Sequence, residues 1–144
     1  MFIIIICITI AIYILGIVWN YKMLGDMISK SKKIAIIITE ILVAFIITII
    51  TFNISKKGIY YNNTDIEQTV RNILVAIFAS LNFLAFTPFI SKTISKIYEG
   101  EIEKEQFLKR IALISVIFLV CIFFETGYMA DTQEGILKIY EAKK

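Results

Sequence analysis

The sequence contains no histidine, a single proline (Pro88), two cysteines and two arginines among its 144 residues. The missing imidazole removes the commonest acid–base group near neutral pH, any zinc site built on His and any His-ligated haem. Cys7 and Cys121 stand alone inside apolar runs, so neither a disulfide framework nor a C-x-x-C pair is available. Both are expected to be small buried hydrophobes. No phosphate-binding glycine loop, dinucleotide fingerprint, H-E-x-x-H or Ser/His/Asp set occurs. The acids Asp26, Glu40, Glu125 and Asp131 are scattered and make no catalytic constellation. No catalytic residue, metal or cofactor is therefore expected. Charge is scarce as well, at 19% against roughly 25% in soluble domains. A net charge of +3 is too small to argue for a nucleic-acid partner.

What fills the chain instead is hydrocarbon. Hydrophobic residues make up 58% of it, and mean hydropathy is +0.81. Disorder is excluded, because it needs low hydrophobicity and high net charge. A soluble globule would lack the polar surface to wrap so much apolar side chain. The 34 Ile, and 13 Lys against 2 Arg, mark an AT-rich microbial coding genome.

Four apolar runs stand out, at residues 2–19, 34–54, 72–90 and 111–130. Each is about 18–21 residues, or roughly 30 Å as helix, the thickness of a bilayer's hydrocarbon core. Transmembrane strands would be half as long and would alternate in polarity. The expectation is an all-α integral membrane protein, four transmembrane helices in an up-down bundle spanning residues 1–130. A short polar or amphipathic tail follows at 131–144. The first run lacks the basic start and the cleavage site of a signal peptide, so it is expected to be a retained span.

Basic residues suggest an orientation. Segments 20–33 and 91–110 hold nine, among them Lys30, Lys32, Lys33, Lys109 and Arg110. The opposite side holds six, including Lys56 and Lys57. The positive-inside rule then puts the two richer segments in the cytoplasm and both termini outside a cell membrane, with the inverted arrangement as the alternative. Trp19 and Tyr21 fit an aromatic anchor, as do the two Tyr of the outer loop 58–64. Within that loop, Asn62-Asn63-Thr64 matches a glycosylation sequon only formally. Helix 1 is expected to continue through Met27 and Ile28. Helices 3 and 4 should project about two turns and form a hairpin broken at Gly100, with Glu101–Lys104 and Glu105–Lys109 supporting the exposed helix. The segment Gly135–Lys144 is expected to be a short interfacial helix.

Ionisable and polar residues inside the spans are the functional candidates. Glu40 reads either as a proton- or cation-binding carboxylate or, preferentially, as half of an ion pair with Lys33, Lys109 or Arg110 or as a water-exposed interfacial Glu. Glu125 reads as an interfacial clamp to Lys56 or Lys57. Asn82 calls for a hydrogen bond to another helix, and Ala76, Ala79 and Ser80 make a small-residue face. Asn82, Ser80 and Ser115 are either bundle glue or the lining of a polar path. Pro88 should kink helix 3, with Thr87 helping to satisfy the freed backbone.

The functional expectation is a small non-enzymatic multi-pass protein. It would act by lateral association in the lipid bilayer, with a larger membrane protein or with copies of itself, in an accessory, immunity or defence-type role. The alternatives are a homo-oligomeric ion channel or pore and a minimal proton-coupled transporter using Glu40.

Overall fold

Each apolar run becomes one long helix in the computed structural model, which describes residues 2–55 and 65–143. The helices are α1 (Phe2–Met23), α2 (Lys30–Ser55), α3 (Asp65–Tyr98) and α4 (Lys104–Ala142). There is no strand among the described residues. All four helices are long and apolar enough to cross a membrane. At 1.5 Å per residue α1 measures about 33 Å, close to the roughly 30 Å of a hydrocarbon core. On the same rise α3 and α4 reach about 51 and 58 Å, so both outrun it.

Polar side chains decide which face of each helix turns inward. In α2 the buried residues are Lys33, Ile37, Glu40, Ala44, Thr48 and Phe52, in steps of three or four. In α4 they are Phe118, Ile122, Thr126, Met129 and Gln133, at the same spacing. The large apolar side chains of α4, Leu113, Val116, Leu119, Phe123 and Phe124, lie exposed outside. A water-soluble bundle would not leave such side chains outside while polar ones share its interior. Hydrocarbon offers no hydrogen-bond partner, so polar groups gain by facing another helix, while Leu and Phe lose nothing by facing lipid. Cys7 and Cys121 follow the second rule. Both are exposed on the outer surface, which corrects the expectation that they are buried.

The third helix is the hub. It touches α1, α2 and α4, whereas α1 and α4 do not meet among the described residues. Helix α1 packs tightly on α3 at Gly16, where an added Cβ would lie 2.5 Å from Cε1 of Phe83. That ring is fully buried and stacks, tilted, on Tyr13 at 5.9 Å between centroids.

Both hairpin turns depend on a glycine. Gly25 and Gly100 have φ of 73° and 72°, the left-handed region where a side chain is strained. After α3 the Glu101 amide donates to the Lys96 carbonyl and the Gly100 amide to the Ile97 carbonyl, the paired bonds of a Schellman cap. The sequence placed that break at Gly100. The first hairpin ends differently from expectation. Helix α1 stops at Met23, and Leu24 and Ile28 turn into the core beside Ile37 and Phe83. Gly25 also packs on α3, since a Cβ there would lie 2.9 Å from Oγ of Ser95. The two turns therefore sit side by side at one end of the bundle.

Two further expectations are revised. The C-terminal segment is no separate helix, because α4 runs unbroken to Ala142. A glycine within a helix costs only about 1 kcal/mol, and the Lys138–Glu134 pair at 2.6 Å bridges the turn containing Gly135. Of the two charge pairs expected on the second hairpin, Lys109–Glu105 forms at 2.9 Å, while Glu101 lies in the turn outside the helix. Loop 58–64, with its Tyr pair and sequon, and Lys56 and Lys57 lie outside the described residues.

Candidate functional site

The buried polar side chains fall into tiers along the bundle. The first lies near the hairpin end and joins α1, α2 and α3. Asn20, one turn before the end of α1, is fully buried. Its Nδ2 donates to the Gly16 carbonyl and to Thr87 Oγ1, both at 2.8 Å. The Gly16 carbonyl can only accept, which fixes which end of this amide is nitrogen. The Asn20 Oδ1 then accepts from Ser91 Oγ at 2.8 Å. Ser91 Oγ also donates to Glu40 Oε1 at 2.8 Å. One hydroxyl proton is thus shared between two acceptors, and the tier is one donor short. The other carboxyl oxygen of Glu40, Oε2, is buried with no hydrogen-bond partner among the described residues.

Glu40 is 7% exposed and borders a cavity of about 530 Å³ between α2, α3 and α4. Val43, Ile47, Phe86, Phe118 and Ser115 line it with Glu40, so its wall is mainly hydrocarbon. The ion pair expected for Glu40 is not formed. Lys33 stands over the Tyr21 ring at 4.5 Å, Lys109 pairs with Glu105, and Arg110 lies in a groove between α3 and α4. A hydroxyl takes the place of the cation because Ser91 of α3 shares Glu40's level inside the bundle, while those cations occupy its basic end. Lys30 opens α2 on the surface, and Lys32 lies 5.9 Å from the Tyr98 ring.

The second tier lies about 13 Å further along, nine residues earlier in α3. Asn82 Nδ2 donates to Thr48 Oγ1 at 3.1 Å and to Glu125 Oε1 at 2.9 Å, joining α2, α3 and α4. Thr48 in turn donates to the Ala44 carbonyl at 2.7 Å. Glu125 therefore has an amide partner within the bundle. Two turns beyond it, Gln133 is fully buried, and neither its Oε1 nor its Nε2 has a hydrogen-bond partner among the described residues.

Other residues singled out in the sequence bond locally. Ser80 donates to its own helix at the Ile77 carbonyl, 2.6 Å away, with Ala79 beside it fully buried. Ser115 donates to the Ile111 carbonyl at 2.8 Å and is exposed at the cavity edge. Pro88 is buried within α3, which continues through it. Lacking an N–H, proline leaves the carbonyl four residues back, that of Leu84, without its helical donor. Thr87 does not replace that donor, because its hydroxyl bonds the Phe83 carbonyl at 2.5 Å.

Sequence reasoning passed over Asn20, Ser91 and Gln133. Asn20 lies just outside the first apolar run, which ends at Trp19. A spacing signal existed for Ser91. Thr87, Ser91 and Ser95 recur every four residues on one face of α3, and all three are buried.

No family model matches the chain, and neither a curated protein nor a solved structure matches it.

Proposed function

We propose that this chain is a non-enzymatic membrane protein that works by lateral association, as a subunit beside a larger membrane protein or beside copies of itself. The supporting observation is the division of its surfaces. Asn20, Glu40, Ser91, Asn82 and Glu125 bond one another across helices, and between Val116 and Phe124 the outer face of α4 is left apolar. Phe123 and Phe124, each 73% exposed, form an edge-to-face pair in the middle of that face. Rigid aromatic anchors of this kind dominate contact energetics where a partner covers them. The pore reading is weaker. Glu40, Ser80 and Asn82 are buried inside one protomer, where they are unavailable to line a channel between copies.

The test is photo-crosslinking in the native membrane. A photoreactive residue at position 124 is expected to give a discrete protein adduct, and one at the buried position 122 should not. Lipid adducts alone at position 124, with a monomeric mass in nanodiscs, would sink the proposal.

The transporter reading keeps one specific support, the unpartnered Oε2 of Glu40 beside the 530 Å³ cavity. It requires that reconstituted vesicles take up protons under an imposed gradient and that Glu40→Gln abolish the uptake. Equal uptake by both forms removes it.

A further inference from the structure

Because α1 and α4 do not meet, one face of α3 lies open between them. Its exposed stripe runs Leu81, Ala85, Phe89 and Lys92, a residue every three or four positions, and reaches the half-buried Lys96 one turn later. The chemistry changes abruptly along this stripe. Up to Phe89 it is apolar, and from Lys92 onward it is cationic.

Two concavities follow the same division and share Phe89 and Lys92. The larger, about 570 Å³, lies against α1 and is walled by Trp19, Met23, Leu81, Leu84 and Pro88. The smaller, about 180 Å³, lies against α4, where Lys92, Lys96 and Arg110 converge over Phe89 and Leu113. None of these three cations has an ion-pair partner among the described residues. Like charges brought together repel, so such a cluster calls for an anion. An anion alone would leave the adjoining hydrocarbon trough unexplained.

We infer that this face of α3 is a binding site for one anionic phospholipid. The headgroup phosphate is held by Lys92, Lys96 and Arg110, and an acyl chain lies in the trough between α1 and α3. The inference rests on the reading of the four helices as membrane spans, and it is independent of lateral association. A basic recess between spanning helices at one end of a bundle is suited to an anionic headgroup. The trough starts where that headgroup would end. Lys92 belongs to both recesses, so it marks the boundary between phosphate and chain.

The experiment is native mass spectrometry of the purified full chain in detergent. It is titrated with phosphatidylglycerol or with phosphatidylcholine carrying the same acyl chains. The wild-type protein is expected to retain phosphatidylglycerol selectively. The triple variant Lys92→Gln, Lys96→Gln, Arg110→Gln should lose that preference, with roughly a fivefold drop in binding per cation removed. A matched variant, Lys30→Gln, Lys32→Gln, Lys104→Gln, removes the same charge from the same end and should keep it. Ala85→Phe, which fills the trough, should weaken binding of both lipids while leaving the selectivity. Circular dichroism on each variant confirms that the helices persist. If the triple variant unfolds, Lys92→Gln alone must show the drop. Equal retention of the two lipids by the wild type would overturn the inference. So would equal losses in the two triple variants, or competition by inorganic phosphate at the lipid's own concentration, which would make the site one for a free anion.

Discussion

At the scale of single residues, two kinds of position hold the bundle together. One kind is small. Gly16 lets the Phe83 ring lie directly on the backbone of α1, and its carbonyl takes one hydrogen of Asn20. Alanine there would ordinarily favour a helix by about 1 kcal/mol. Here its Cβ would fall 2.5 Å from a fully buried ring, which would have to shift. Gly16→Ala is therefore expected to destabilise the protein by about 1–3 kcal/mol, seen as a lower melting temperature in detergent micelles. Adding Phe83→Leu should recover part of the loss. An unchanged melting temperature for Gly16→Ala would mean that the contact has slack. The other kind of position is polar and central. Each interhelix hydrogen bond contributes only about 0.6 kcal/mol on average in a membrane bundle. Asn20 and Asn82 each use both amide hydrogens, so their main effect is to fix the register of three helices at one level. Asn82 was legible in the sequence as an amide at mid-span. Its partners were not, because Thr48 and Glu125 are 34 and 43 residues away along the chain.

At the scale of elements, the two glycine turns separate backbone strain from packing. Gly25 and Gly100 share nearly the same φ, so alanine at either meets the same conformational penalty of roughly 1–2 kcal/mol. Gly100 faces open space, whereas a Cβ at Gly25 would press on Oγ of Ser95. Gly25→Ala is thus expected to lower the melting temperature more than Gly100→Ala, by the additional cost of displacing Ser95 from Glu99, to which it donates at 3.1 Å. Equal effects would show that strain alone operates. The contrast also marks a limit of sequence reading. Gly100, among charged residues, was recognisable as a break. Gly25 was overlooked because Met27 and Ile28 after it continue an apolar spacing. That spacing records the packing of Leu24 and Ile28 into the core rather than further helix.

At the scale of the whole molecule, both short turns lie at one end of the bundle, and the membrane placement proposed above puts them on one side of the bilayer with the apolar outer face against lipid. Cys7 and Cys121 are exposed in the protein yet lie among apolar residues, so their thiols should sit in hydrocarbon. They are expected to resist a membrane-impermeant maleimide in intact membranes and to react once the protein is denatured. In a background lacking both, cysteines placed at Asp26 and Glu101 should label from the same side. Labelling from opposite sides would contradict the parallel placement of the hairpins. The side that labels would also distinguish the orientation expected from the basic residues from its inverse.

The sequence by itself determined the all-helical class and the count of four helices long and apolar enough to cross a membrane. Four charge-poor runs of bilayer length leave no other way to satisfy the backbone in hydrocarbon. It also determined which residues would be costly outside a protein interior, Glu40, Asn82 and Glu125 among them. Only the tertiary structure decided what each of these meets. Inside a span nearly every position is apolar, so hydrophobic periodicity carries little information about which face turns inward. Partner choice follows from the levels at which the helices align. Glu40 stands level with Ser91 and Asn20 rather than with Lys109, and that follows from where α1 ends and how far α3 runs past it. The open face of α3, with its apolar trough and three cations, has the same origin. It exists because α1 and α4 both pack on α3 without meeting each other.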